Sequence, residues 1–443
     1  MLGDDRLTSA RLAELCTADG EFALAARHWT GGLRLESPGG AIGVTLRDGT
    51  PAAGAPEAGR RGVIALVAAD AVWAELLAAT PKRFHNDVFL LIALGQMQSN
   101  AEPLLYAQYY PAVMRAIELL RPAVAAAPAP GPARQPGQFD SPVGGYIHLD
   151  LGGQDHRVYF EEAGSGIPLL LQHTAGAHGA QWRHLFERRE ITDHFRLIAY
   201  DLPFHGKSLP PVGPRWWAQE YRLTGEFLRA VPVRLAAALG LERPAFMGCS
   251  VGGLLALDLA RHHPDVFAAV ISLEGALKID TAWSSLELLW HPQISNEYKA
   301  RLMNGLMSPT SPEALRKETS AVYASGWPPA FRGDLWYYVV DYDLRGEAHL
   351  IDASRVAVHI LSGEYDGSGT MELGEAAHRA IPGSTWTAMP GVGHFPMSEN
   401  PEAFLKHLLP VLEQVRERWN AGAEPQPRPS PPAGEGGGRK PAG

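Results

Sequence analysis

Cysteine is scarce in this chain. Only Cys16 and Cys249 occur in 443 residues, which excludes a disulfide framework. Long apolar runs are missing too: nowhere do eighteen apolar residues follow one another, and Met1-Leu2-Gly3-Asp4-Asp5-Arg6 lacks the apolar stretch of a signal peptide. Neither a membrane span nor export is therefore expected. Basic residues fall short of acidic ones, 39 against 48, for a net charge of -9. That sign argues against a nucleic-acid partner. What is present, 46% hydrophobic and 20% charged residues over a length with room for two domains, is ordinary globular composition. The expectation is a cytoplasmic protein, with homo-oligomerisation left open.

Proline and alanine crowd together from residue 122 to 138, predicting a semi-extended linker over 122–141. A Pro/Gly/Arg tail, poor in apolar residues, is expected to be disordered over 419–443. Residues 1–121 then form a separate small α+β unit. Its expected elements are a helix at 8–16 capped by Thr8 or Ser9, strands at 32–36 and 42–47 joined through Ser37-Pro38-Gly39-Gly40, a strand at 62–67, a capped helix at 70–79 and a long helix at 103–120.

The most informative stretch is Phe246-Met247-Gly248-Cys249-Ser250-Val251-Gly252-Gly253. An apolar strand enters Gly-x-Ser-x-Gly and leaves as a helix, the pattern that exposes a serine hydroxyl on a tight turn. The glycines let backbone and helix approach without Cβ clashes, and the Val251 N–H is aimed at an oxyanion forming over Ser250. Helical patterns at 231–239 and 254–263 flank it, and 266–273 is a continuous apolar run. Such alternation predicts a parallel sheet with ligands beyond its carboxyl ends.

A serine hydroxyl needs a base, and the base needs a carboxylate to fix its tautomer. A strand at 356–361 runs into Ser362-Gly363-Glu364-Tyr365-Asp366-Gly367, and one at 385–389 into Pro390-Gly391-Val392-Gly393-His394-Phe395-Pro396, before a helix at 401–415. Asp366 and His394 thus fall on strand-end loops, in the order Ser250, Asp366, His394. Glu364 and Glu274 are alternative acids, whereas His378 and His407 fall on helical stretches. Cys249 is expected to be packed.

This arrangement resembles the α/β-hydrolase fold superfamily over residues 144–418. Pro168-Leu169-Leu170-Leu171-Gln172-His173-Thr174-Ala175-Gly176 is similar to its strand and oxyanion loop, and residues 201–208 to its Asp-x-x-Gly-x-Gly-x-Ser turn. Thr174 replaces the usual glycine after histidine, leaving Thr174 or Ala175 to supply the second oxyanion N–H beside Val251, and Phe204 replaces the turn's first glycine. The resemblance implies an α/β fold with a mostly parallel, doubly wound sheet and a helical cap at about 275–351. It also implies a Ser250-Asp366-His394 serine hydrolase that cleaves a carboxylic ester or lactone without cofactor or metal. Carbon–carbon bond hydrolysis by the same triad is the alternative.

The cap is rich in aromatic residues. Trp283, Trp290 and Trp336, with His173 and His178 at the mouth, are the expected pocket wall, suited to an uncharged, fairly apolar small molecule. Trp327, Tyr337 and Tyr338 belong to the same aromatic set. Within residues 1–121, Trp29-Thr30-Gly31-Gly32 and Ala68-Ala69-Asp70-Ala71-Val72-Trp73 resemble the sterol-carrier-protein-2-like fold, which implies lipid binding. A dimerisation unit is the other reading, and a catalytically silent lipid-binding protein the alternative for the chain as a whole.

Overall fold

Among the described residues of the computed structural model, which are residue 2, 7–122 and 135–422, strands assemble into two sheets. The first contains β1 (Gly31–Ser37), β2 (Gly40–Arg47), β3 (Thr50–Ala53), β4 (Val63–Ala68) and β5 (Met97–Ser99), ordered β3-β2-β1-β4-β5. The β1–β2 hairpin turns where the sequence predicts it, and β4 pairs parallel to β1. Thr8 caps the helix Ser9–Ala18 by accepting from the Arg11 N–H at 3.2 Å. The helix Pro103–Leu120 has the expected bounds. The helix Asp70–Leu76 is shorter than expected and lacks a side-chain cap because Ala69 holds the cap position, while the Asp70 carboxylate accepts from the Ser37 hydroxyl at 2.7 Å. Trp29, Trp73 and Tyr110 are buried in this unit's core.

The second sheet contains β6 (Val143–Leu151), β7 (Gln154–Ala163), β8 (Ile167–Gln172), β9 (Phe195–Tyr200), β10 (Ala245–Cys249), β11 (Ala269–Leu273), β12 (Ala357–Gly363) and β13 (Thr385–Met389), ordered β13-β12-β11-β10-β8-β9-β7-β6. From β13 to β9 all pairings are parallel, while β7 and β6 form an antiparallel edge. Strand order reverses at β8 and β10, which pair with each other while their connections lead to opposite halves of the sheet. Their carboxyl ends diverge there, opening the crevice where such sheets bind ligands.

Alternate side chains of each central strand enter different cores, Leu170 one and Leu169 and Leu171 the other. This is what a sheet covered on both faces requires. The second of these cores is closed by the helix Pro401–Gly422, which runs well past the expected end at residue 415. It continues because Trp419 still packs on that core, and Arg418 donates to the Ala353 and Ser354 carbonyls at 3.0 and 2.6 Å. The helix thus takes in residues 419–422 of the expected tail, and the rest of that tail and most of the expected linker lie outside the described residues.

Between β11 and β12 the chain forms a helical insertion: Asn296–Gly305, Glu313–Ser325, Pro328–Trp336 and a π-helical turn, Tyr337–Asp341. Tyr298 and Leu302 of its first α-helix belong to the core of the N-terminal sheet, so insertion and N-terminal unit share one apolar core.

Candidate active site

Ser250 sits between β10 and the helix Val251–His262 with φ 59° and ψ -114°. Non-glycine residues rarely adopt this geometry, and it persists where the surroundings enforce it. Here a Cβ on Gly248 would stand 2.3 Å from the Gly252 carbonyl oxygen, and one on Gly252 2.8 Å from Gln172 Cγ. Only glycines allow the turn to close so tightly. The Ser250 N–H donates to the Leu273 carbonyl at 3.0 Å, leaving the hydroxyl at the helix N-terminus, 6% exposed. There the unpaired amides and helix dipole favour negative charge.

Beyond β8, His173 is fully buried. Its Nδ1 lies 2.8 Å from the Thr174 carbonyl and its Nε2 accepts the Leu202 N–H at 3.1 Å. Burial, foremost, holds its pKa well below the ordinary imidazole value. With both nitrogens occupied by backbone, His173 braces the loop and does not line a pocket, contrary to expectation. The Thr174 N–H donates to Gln181 Oε1 at 3.1 Å, and the Thr174 hydroxyl is taken by Gln181 and Tyr323. The next amide, Ala175 N–H, donates to no group among the described residues, whereas Gly176 N–H is held by Asp334 Oδ2 at 2.7 Å. The choice the sequence leaves open between Thr174 and Ala175 thus falls on Ala175 as the amide free to meet a ligand.

His394 Nδ1 lies 2.7 Å from Asp366 Oδ2, both groups buried. The approach is off the ring N–H direction, so it is a close polar contact in place of an aligned hydrogen bond, as resting sites often show. Asp366 accepts the Ser368 and Gly369 N–H groups at 2.7 and 3.0 Å. His394 is fixed through its backbone, its N–H on the Leu306 carbonyl at 3.0 Å and its carbonyl accepting from Cys249 Sγ at 3.1 Å. Cys249 is therefore packed, as expected, and burial raises its thiol pKa well above the ordinary value.

Two further buried carboxyls back this loop. Glu274, one of the alternative acids, ends β11 and accepts the Gly363 N–H on both oxygens at 3.0 and 2.8 Å. Burial and the neighbouring Asp366 charge push its pKa well above the ordinary carboxyl value. Glu399 accepts the Gly393 and Ser308 N–H groups at 2.7 and 3.2 Å and the Ser311 hydroxyl at 3.0 Å. Its pKa is pushed up to about 7 by burial. The other alternative, Glu364, turns away to the Gly391 N–H at 2.8 Å.

From the insertion, Tyr338 brings its hydroxyl to Ser368 Oγ at 3.0 Å, two residues beyond Asp366. It lies on the π-helical turn, a distortion frequent at functional sites. The expected tryptophan wall is not built. Trp283 and Trp336 pack edge-to-face, 5.1 Å between centroids, beneath the Arg332 and Arg222 guanidiniums, and Trp290 is 44% exposed. His178 does line a cavity of about 490 Å³, with Asp201, Phe204, Lys207, Trp216 and Trp327. That cavity borders the oxyanion loop without including Ser250 or His394, so the side-chain geometry and not the cavity locates the site.

A serine on a strained strand-to-helix turn beside a strand-order reversal defines the α/β-hydrolase class. The comparison with known proteins agrees: residues 167–401 match the alpha/beta hydrolase fold family, and the chain belongs to it. A pimeloyl-[acyl-carrier protein] methyl ester esterase of Vibrio vulnificus is 24% identical over 268 residues, covering 57% of this chain and 96% of the relative. The enzyme of that name from Methylococcus capsulatus is 28% identical over 254 residues, 54% of this chain and 92% of its own. A thermophilic esterase from Thermogutta terrifontis superposes with a TM-score of 0.52 at 21% identity, over 61% of this chain and 99% of the other; that likeness concerns the fold. No helix among the described residues is long and apolar enough to cross a membrane.

Proposed function

We propose that this chain is a serine hydrolase that cleaves a carboxylic ester or lactone through an acyl-enzyme, and that it works in the cytoplasm. The 2.7 Å approach of His394 to Asp366, on the loops next to the strained Ser250, carries the reading. In resting geometry no hydrogen bond joins Ser250 to His394, so the serine hydroxyl turns to His394 before reaction. His394 then takes the Ser250 proton as Oγ attacks the carbonyl carbon. The tetrahedral oxyanion is met by the N–H groups of Ala175 and Val251, and Asp366 stabilises the imidazolium. His394 returns the proton to the leaving alkoxide. Water, deprotonated by His394, then attacks the acyl-enzyme and releases the acid and Ser250. Side chains and water suffice for each step. The insertion between β11 and β12 serves as the cap, with Tyr338 reaching Ser368 beside Asp366. Ester cleavage by the curated relatives supports the choice of bond.

The test is intact mass after exposure to a fluorophosphonate, with Ser250→Ala alongside. One adduct on the wild type and none on the variant is the expected result. No adduct on folded wild-type protein overturns the serine mechanism.

A further inference from the structure

Lys299 lies on the insertion helix Asn296–Gly305 and is 1% exposed. Its Nζ has no hydrogen-bond partner among the described residues and forms no salt bridge among them. A buried ammonium without a partner is costly, and an apolar side chain of similar volume fills such a place without that cost. The helix position shows what the ammonium faces. At its start, Asn296 Nδ2 donates to the Ala324 and Gly326 carbonyls at 3.0 and 2.7 Å. Gly326 abuts the oxyanion loop, since a Cβ there would be 2.8 Å from the Gly176 carbonyl oxygen. Just past its end, the Leu306 carbonyl accepts the His394 N–H. The helix therefore spans the site from oxyanion loop to base loop.

Its faces divide the neighbours. Tyr298 and Leu302 enter the core of the N-terminal sheet, and Arg301 pairs with Glu118 at 2.6 Å. Lys299 and Leu306, two helical turns apart on one stripe, are left for the third side: Leu306 belongs to the large core that also holds Ala175, Val251 and Tyr338, and Met303 between them packs against both that core and the N-terminal one. The charged group that acts on Lys299 is Asp334 of the helix Pro328–Trp336. Asp334 is already engaged by the Gly176 N–H, His205 Nε2 and the Tyr221 hydroxyl at 2.7, 2.7 and 3.0 Å.

We infer that Lys299 receives an anionic group of the substrate, so that the ester cleaved at Ser250 carries a carboxylate elsewhere on its acyl part. The inference rests on the ester-hydrolase reading above and replaces the uncharged substrate expected from the aromatic cap. A carboxylate supplies the hydrogen-bonded counter-charge the ammonium lacks, and its burial beside Lys299 orients the acyl chain towards Ser250. Burial brings the Lys299 pKa down to about 8, so the cation is present below that pH and fades above it.

The experiment compares kcat/KM for monomethyl esters of straight-chain dicarboxylic acids with methyl esters of the matching monocarboxylic acids, over a range of chain lengths, on wild type, Lys299→Met and Lys299→Arg. At the best length the wild type is expected to favour the charged ester by about ten- to a hundredfold, the worth of a hydrogen bond to a charged partner, expressed mainly in KM. Lys299→Met should erase the ratio and Lys299→Arg retain it. In the wild type the ratio should fall as pH rises through about 8, a reading independent of whether the variants fold. Fluorophosphonate labelling of Ser250 without preference for charge at any length, or a preference that survives in Lys299→Met, overturns the carboxylate subsite alone. Failure of both labelling and ester turnover overturns the ester-hydrolase reading and the subsite with it.

Discussion

Glu274 lies buried beside Asp366, close enough for the Asp366 charge to act on its carboxyl. The two sit at the carboxyl ends of the neighbouring strands β11 and β12, Glu274 with φ 54° and both fully buried. Close carboxyls in a water-poor place do not both ionise. Burial first and the Asp366 charge second raise the Glu274 pKa well above the ordinary carboxyl value. Asp366, bonded by two backbone N–H groups, is the partner that faces His394. Two strand ends able to carry the acid are thus occupied by carboxyls with different work.

Asp366→Asn removes the charge that stabilises the imidazolium, and kcat should fall by about ten-thousandfold, the size of the same change in another serine triad. Glu274→Gln keeps an acceptor for the Gly363 N–H, and should cost less than about tenfold, on the scale of one altered hydrogen bond. Steady-state kinetics on the two variants decides the assignment; the reverse order of damage would make Glu274 the acid.

Tyr338→Phe leaves the ring in place and removes the hydroxyl bonded to Ser368, whose N–H holds the Asp366 carboxylate. A loss of about fivefold in kcat is expected, the worth of one neutral hydrogen bond, with Ser250 still labelled by fluorophosphonate. An unchanged kcat would place the hydroxyl outside the reacting region.

Residues whose constraint is local were legible in the sequence. Gly248 announces the turn at Ser250 because the clash that demands glycine there comes from Gly252, four residues on, and Asp366 and His394 stand on loops set by strand composition. Long-range partners left no comparable trace. Asp334 claims the Gly176 amide from the insertion, 158 residues on, Tyr338 descends from the same insertion, and Lys299 and Glu399 look like ordinary charged positions on helices until the fold buries them. The tryptophans misled because aromatic content says nothing about which ring meets an arginine and which a ligand.

The N-terminal unit grips the site loops directly. The Tyr365 hydroxyl, beside Asp366, donates to the Pro81 carbonyl at 3.2 Å, and Asn86 Nδ2 donates to the Gly305 and Met307 carbonyls at 2.7 and 3.2 Å. Leu90 packs in the same cluster as Val251 and Tyr338. Deletion of residues 1–121 would also expose Tyr298 and Leu302, each worth about 1.5–3 kcal/mol of burial. The shortened chain should lose ester turnover and melt well below the full chain. Activity near the full-length value on a small soluble ester, measured beside a melting curve, would show the unit to be separable.

Glu399 gives the His394 loop a pH dependence of definite sign. Its pKa is raised from about 4.5 to about 7 on folding, by burial above all. Between those values the folded chain keeps a proton that the unfolded chain has released, so stability is fully present below about 4.5 and is lost as pH rises through about 7. Each tenfold difference in proton affinity between the folded and unfolded chain is worth about 1.4 kcal/mol, so the loss amounts to about 3 kcal/mol. Glu399→Gln replaces the carboxyl with a group neutral at every pH, leaving an oxygen for the Gly393 and Ser308 N–H groups. Denaturant unfolding of both proteins at pH 5 and pH 8 should show the wild type losing about 2.5 kcal/mol more than the variant across that interval, the rest having gone below pH 5. Parallel losses would mean that Glu399 is ionised throughout and that its hydrogen bonds outweigh its burial.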